Sequence, residues 1–250
     1  MTAPPELKAR RVLLALAAGG ADSASLRSSV LLAASLSAEL DALFLEDADL
    51  FTSSTLPFAC EILPSGAERP VAAESLSGAL RAQAETLRRQ LALQADPAQV
   101  KWSFRTLRAR RISALLELSA GQDVVVAAWQ RRMRWQSAPG LKALARPVLL
   151  AYQSIEPPAA ALEIAVRLAC SLGAELVLLG PADGTPPIVE AGLHVRRLLR
   201  TDVSMAGLLA SLAGFPAEML VLPAGELAAC EPLEIGHLLD AVAVPVVLVR

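Results

Sequence analysis

The stretch VLLALAAGGADSASLRSSVLLAASLSAEL (residues 12–40) lies without a gap over VLLAYQSIEPPAAALEIAVRLACSLGAEL (residues 148–176). Fourteen of the twenty-nine aligned pairs are identical. They fall in an opening apolar run, along a helical stripe, and in a closing Ser-Leu-x-Ala-Glu-Leu. Self-similarity of this length marks a tandem of two related units. Within the first copy, residues 12–16 read as a buried strand. Residues 24–37 read as a helix with Leu26, Val30, Ala33 and Leu36 on one face and Asp22 or Ser23 as its N-cap. Residues 38–47, AELDALFLED, read as a second strand. A strand, a helix and a strand in this order imply a parallel pair joined by a crossover.

The pattern continues outward on both sides. Residues 46–72 read as loop, carrying Pro57, Pro64, Gly66 and Pro70. Residues 76–96 read as a helix with Leu80, Ala84, Leu87 and Leu91 on one face, stopped by Asp96-Pro97. Residues 100–107 alternate as a half-buried strand, 111–121 form a helix stopped by Gly121, and 123–129 a buried strand. The second half repeats this in reduced form, with strands at 148–152, 175–179, near 194–199, 218–222 and 246–249, and helices at 159–172, 204–212 and 233–242. In place of the long loop and helix it has PADGTPPIVEAG. LKALARPVLLA (141–151) also resembles LDAVAVPVVLV (239–249), so residues 147–151 look like both the last strand of unit one and the first of unit two. A first strand is central and a last strand is an edge, so losing the edge costs less. Residues 148–152 are therefore assigned to unit two, and unit one is expected to have four strands. The expected domains are 1–145 and 146–250.

Composition narrows the classes. The apolar fraction is 54%, yet no run approaches the roughly 18 residues of a membrane span, so no membrane insertion is expected. A net charge of −2 argues against coating nucleic acid. Three widely spaced cysteines, Cys60, Cys170 and Cys230, suit a reducing cytoplasm rather than a disulfide scaffold. The basic and apolar N-terminus has the look of a signal peptide. Its apolar run recurs at 148–151, deep inside the chain, which argues for a strand and a cytoplasmic protein.

RVLLALAAGG and PVLLAYQS as opening strands, DVVVAAW as a fourth strand and VPVVLVR as a close resemble the universal stress proteins of the UspA type. The resemblance covers nearly the whole chain as two tandem units. It implies an α/β fold of two Rossmann-like, adenine nucleotide alpha hydrolase-like open parallel sheets with helices on both faces. In nucleotide-binding members an Asp at the end of the first strand meets adenine, and a G-x2-G-x9-G-(S/T) loop after the fourth strand offers backbone N–H groups to phosphates. Such a loop works because glycine lets donors approach an anion. Here the Asp position falls on Ala17 in unit one and near Gln153 in unit two. The fourth strands run into AAWQRRMRWQSAPG and LPAGELAACEPLEIG, where Gly140, Gly225 and Gly236 are wrongly spaced. ATP binding by the usual loop is therefore expected to be lost, and no cofactor is assigned. AAGGADS remains either a turn or a weak anion-facing one.

Arginine placement suggests an alternative. Arg105, Arg108, Arg110 and Arg111 follow the third strand, Arg131, Arg132 and Arg134 the fourth, and Arg196, Arg197 and Arg200 lie near the third strand of unit two. Strand carboxyl ends face the ligand crevice of an open sheet, so Arg108, Arg131 and Arg132 are candidate anion-holding residues, with Trp129 and Trp135 to stack nearby. Solvated loop arginines are the plainer reading. Glu46, Asp47 and Asp49 form either a cation site or a solvated acidic turn. Phe51, Leu56, Phe58, Ile62 and Leu63 make an apolar loop that caps a cleft, meets a partner or packs on its own unit. His194 and His237 stand apart without metal-ligand spacing. No G-x-S-x-G elbow is present. The sequence reads as a tandem, non-enzymatic stress-type binding protein; the alternative is a nucleotide or anion sensor using the arginines. The resemblance further implies a homodimer paired through the terminal edge strand, Val246, Val247, Leu248 and Val249, with protein partners also in view.

Overall fold

In β1 (Arg11–Ala17) the residues Val12, Leu14 and Leu16 enter one buried layer, and Leu13, Ala15 and Ala17 the other. A strand apolar on both faces needs helices on both sides. The computed structural model describes residues 11–18, 23–62, 65–71, 73–119, 121–128, 146–182, 192–200, 202, 204–212, 215, 217–227, 230–242 and 244–250. After β1 come α1 (Ser23–Ser35), β2 (Glu39–Asp47), α2 (Ala48–Ser54), β3 (Cys60–Ile62), β4 (Glu68–Pro70), α3 (Ala73–Ala95), β5 (Trp102–Ala109), α4 (Arg111–Ser119) and β6 (Val124–Ala128). The C-terminal half contains β7 (Val148–Ala151), α5 (Ala159–Leu172), β8 (Leu176–Pro181), β9 (Val195–Arg200), α6 (Met205–Leu212), β10 (Met219–Pro223), α7 (Ala224–Leu227), α8 (Pro232–Ala241) and β11 (Val246–Val249).

Nine strands form one sheet in the order β5-β2-β1-β6-β11-β10-β7-β8-β9. Within this sheet, pairing is parallel inside each half, and the β6–β11 junction is antiparallel. The fold is a doubly wound α/β sheet. Side chains of α1, α3 and α5 pack on one face, and those of α4, α6, α7 and α8 on the other. β7 pairs with β8 and β10, both from its own half. In the first half, α3 buries the stripe Leu80, Ala84, Leu87 and Leu91 read from the sequence.

Two expectations are corrected. Val246, Val247, Leu248 and Val249 are not at an edge. β11 pairs with β10 on one side and, antiparallel, with β6 on the other, and all four residues are buried. Its backbone donors and acceptors are used within the chain, so it offers no seam to a second copy. The true edges are β5 and β9, both studded with arginine, a substitution pattern that discourages edge pairing. Second, residues 46–72 are not simply loop. Asp47 caps α2 by accepting from the Asp49 N–H at 3.0 Å, and β3 pairs antiparallel with β4.

The two halves also stop their first helices in the same way. The aligned residues Ser37 and Gly173 both adopt the left-handed conformation, at φ 52° and 60°. The following amides, of Ala38 and Ala174, return to Ala33 and Ala169 at 2.9 Å each. This reversal aims β2 and β8 back along the sheet.

Candidate functional site

In an open α/β sheet, ligands settle beyond the carboxyl ends of the strands where the winding reverses. That point lies between β1 and β6 in the first half and between β7 and β10 in the second. Because β6 and β11 run antiparallel, the two points face opposite ends of the sheet.

The second half's point is occupied from within. β10 runs directly into the single turn α7, which carries Glu226. The Glu226 carboxylate accepts from the Gln153 backbone N–H at 2.7 Å, linking the ends of β10 and β7. Burial pushes the Glu226 carboxyl above its ordinary value; the Gln153 hydrogen bond and the charge of Arg200 pull the other way. Arg200, at the end of β9 and 5% exposed, donates from Nη2 to the Ser204 carbonyl at 2.8 Å. Burial lowers its pKa, and Asp202 and Glu226 partly restore it. The Cys230 Sγ is 3.7 Å from the Glu226 carbonyl, and burial together with Glu234 raises the thiol pKa, which keeps it protonated and a poor nucleophile. A carboxylate thus sits at the mouth of the sheet, where an anionic ligand would meet repulsion.

In the first half Arg108 and the other arginines that follow the third strand are already engaged. Arg108 donates from Nε and Nη2 to one oxygen of Glu46, at 3.1 and 2.9 Å, and stacks 3.6 Å over the Phe51 ring. Arg111 meets Asp47 at 2.9 Å, Arg105 meets Asp41 at 3.1 Å and Arg110 meets Asp49 at 3.2 Å. β2 and β5 are in parallel register, with Glu46 beside Arg108 and Asp47 beside Ala109, so the acidic cluster faces the basic one. Two clusters that looked like separate ion sites neutralise each other. Phe51 belongs to this arrangement and to the core margin, whereas Phe58 and Ile62 stand about three-quarters exposed, at 76% and 75%.

Arg131, Arg132, Arg134, Trp129 and Trp135 lie outside the described residues, as do the Gly19-Gly20 turn and Gly140. His237 is exposed on α8, beside a cleft of about 340 Å³ between α4 and α8 that Asp47, Asp49, Arg110, Arg111 and Asp240 also line. Among the described residues no group of three or more His, Cys, Asp or Glu is arranged to hold a metal, and no helix is long and apolar enough to cross a membrane. The glycine spacing of LPAGELAAC does not single out Glu226. An acidic residue three places after a fourth strand is the signal that was there to be used.

No family model and no curated protein matches the chain. Among solved structures, it is similar to a universal stress protein of Archaeoglobus fulgidus, at 12% identity and a TM-score of 0.48, over 96% of each chain. It is also similar to a functionally unknown protein of Pseudomonas aeruginosa, at 11% identity and a TM-score of 0.44, over 96% of this chain and 92% of that one. The fold assignment itself rests on the strand order and pairing described above.

Proposed function

We propose that this chain is a universal-stress-type protein of two related halves that acts by binding a partner protein, without catalysis and without holding ATP through a glycine loop. Glu226 carries the reading. It places a carboxylate against the Gln153 amide, at the strand ends where nucleotide-binding members present donors to phosphate. The opening and closing strand motifs and the shared strand order of the halves support the family assignment. In the first half, Ala17 ends β1 without a carboxylate to meet adenine.

Thermal unfolding of nucleotide-stripped protein tests this. Millimolar Mg-ATP should leave the midpoint unchanged. A ligand at 100 times its dissociation constant adds about 2.7 kcal/mol, so a rise of several degrees beyond that given by phosphate alone would overturn the reading.

A further inference from the structure

Among the described residues of the second half, three buried side-chain atoms have no hydrogen-bond partner: Tyr152 Oη, Arg197 Nε and Arg200 Nε. Two of them share one face of the sheet. Tyr152 and Leu178 belong to the layer packed by α5, and Arg197 stands beside Leu178 in the β8–β9 register. Alternation along the strands places Gly180 on that same face and Arg200 on the other. The Tyr152 ring lies over Gly180, with its hydroxyl 2.5 Å from where a Cβ would stand. Arg197 extends along β9 and donates from Nη2 to the Pro181 carbonyl at 3.0 Å. Both side chains therefore converge on the Gly180–Pro181 end of β8.

The guanidinium dominates the chemistry of that corner. It has donors only, and the tyrosine hydroxyl beside it has one proton to give and can also accept. Arg196 next door meets Glu175 at 3.2 Å, but among the described residues no carboxylate lies within ion-pair distance of Arg197. Leaving a buried donor unmatched costs free energy, more so when the group is charged. A water molecule could satisfy both donors, giving its own protons to the second lone pair of the Pro181 carbonyl, but it would leave the guanidinium charge unpaired. An acceptor carrying negative charge satisfies both donors and meets the guanidinium charge at once. Leu199, paired beside Gly180 on β9, is 59% exposed, so the buried corner lies one strand in from the solvent boundary. We infer that Tyr152 and Arg197 form a seat for a small oxyanion, a carboxylate or a phosphate, at the end of β8. It lies beside the point that Glu226 fills, since Tyr152 precedes Gln153, and it does not depend on the proposed function.

The test is the thermal midpoint of the full chain in sodium acetate, sodium phosphate and sodium chloride at matched ionic strength. Acetate or phosphate should raise the midpoint over chloride by about 5 °C near saturation. A response to acetate alone marks a carboxylate seat, and a response to phosphate alone an inorganic one. The rise should vanish in Tyr152→Phe and in Arg197→Met. Tyr152→Phe removes only an unpartnered hydroxyl, so in chloride it should unfold at or above the wild-type midpoint and remain informative if Arg197→Met folds poorly. Equal midpoints in all three salts would overturn the inference. So would a rise that persists in Tyr152→Phe, since general exclusion of phosphate from protein surface acts on both proteins alike.

Discussion

The two halves fill the same space in their cores from different strands. In the first, Leu16 on β1 lies in register with Phe44 on β2, and both are fully buried. At the aligned positions the second half has Tyr152 and Gly180. The ring has moved from the second strand to the end of the first, and the residue beneath it has lost its side chain to make room. The repeat thus keeps an aromatic ring in this layer while changing the strand that supplies it. The move also brings a phenolic hydroxyl to the strand end, where the first half has Leu16.

Gly180→Ala gives the largest effect expected from this comparison. A Cβ at Gly180 would lie 2.3 Å from Tyr152 Cζ, closer than packing allows. The substitution should cost about 3 kcal/mol in urea unfolding, the upper range for overpacking. Adding Tyr152→Leu, which restores the residue of the first half, should recover most of the loss. If Gly180→Ala proves neutral, the ring and the glycine are not a compensating pair. The two positions touch, so their effects should be strongly non-additive.

A smaller effect separates the two helix ends. Gly173 adopts its left-handed conformation without penalty, while Ser37 adopts the same one with a side chain. Ser37→Gly should stabilise the protein by about 1 kcal/mol, and Gly173→Ala should destabilise it by a similar amount. Urea midpoints of both variants settle it. Equal and opposite shifts would show that the two turns are energetically one motif.

Much of the fold was legible because it follows from hydrophobic period and from the repeat. α5 and β11 fall at the expected residues, and the buried stripe of α3 was plain in its spacing. A sheet can spare an edge strand more cheaply than a central one, and β7 is central, between β8 and β10. The site was much less legible. Arg108 and Glu46 are 62 residues apart, and their mutual neutralisation depends on β2–β5 register, which no local pattern encodes. The edge role given to Val246–Val249 failed for a similar reason. A terminal apolar strand looks unpaired until the whole chain is placed, and only then does β6 supply the second neighbour. A partner strand within the chain uses the same backbone groups that a second copy would.

The smallest effect concerns two acids, one from each half, whose environments oppose each other. Glu85 on α3 is held down to about 2 by its hydrogen bonds to Arg88 and Arg89. Glu226 is raised, chiefly by burial. For Glu85, a folded value below 4.5 means its stabilising contribution is present above pH 4.5 and is lost as pH falls toward 2. For Glu226 the sign reverses. Its folded value lies above 4.5, so its contribution is complete below pH 4.5 and is lost as pH rises through the raised value. Against Glu226→Gln, whose amide oxygen can still accept from Gln153, the wild type should therefore gain stability as pH falls from 7 toward 4.5 and change little below that. Against Glu85→Gln, the difference should stay flat from pH 7 to about 5 and shrink only below 4.5. Urea midpoints of the three proteins at pH 7, 5.5, 4.5 and 3 distinguish the two signs. A flat difference for Glu226→Gln between pH 7 and 4.5 would mean that the carboxylate at the mouth of the second half is solvated rather than buried. It would then be free to swing aside, and the repulsion that closes this crevice to anions would be weaker than its position implies.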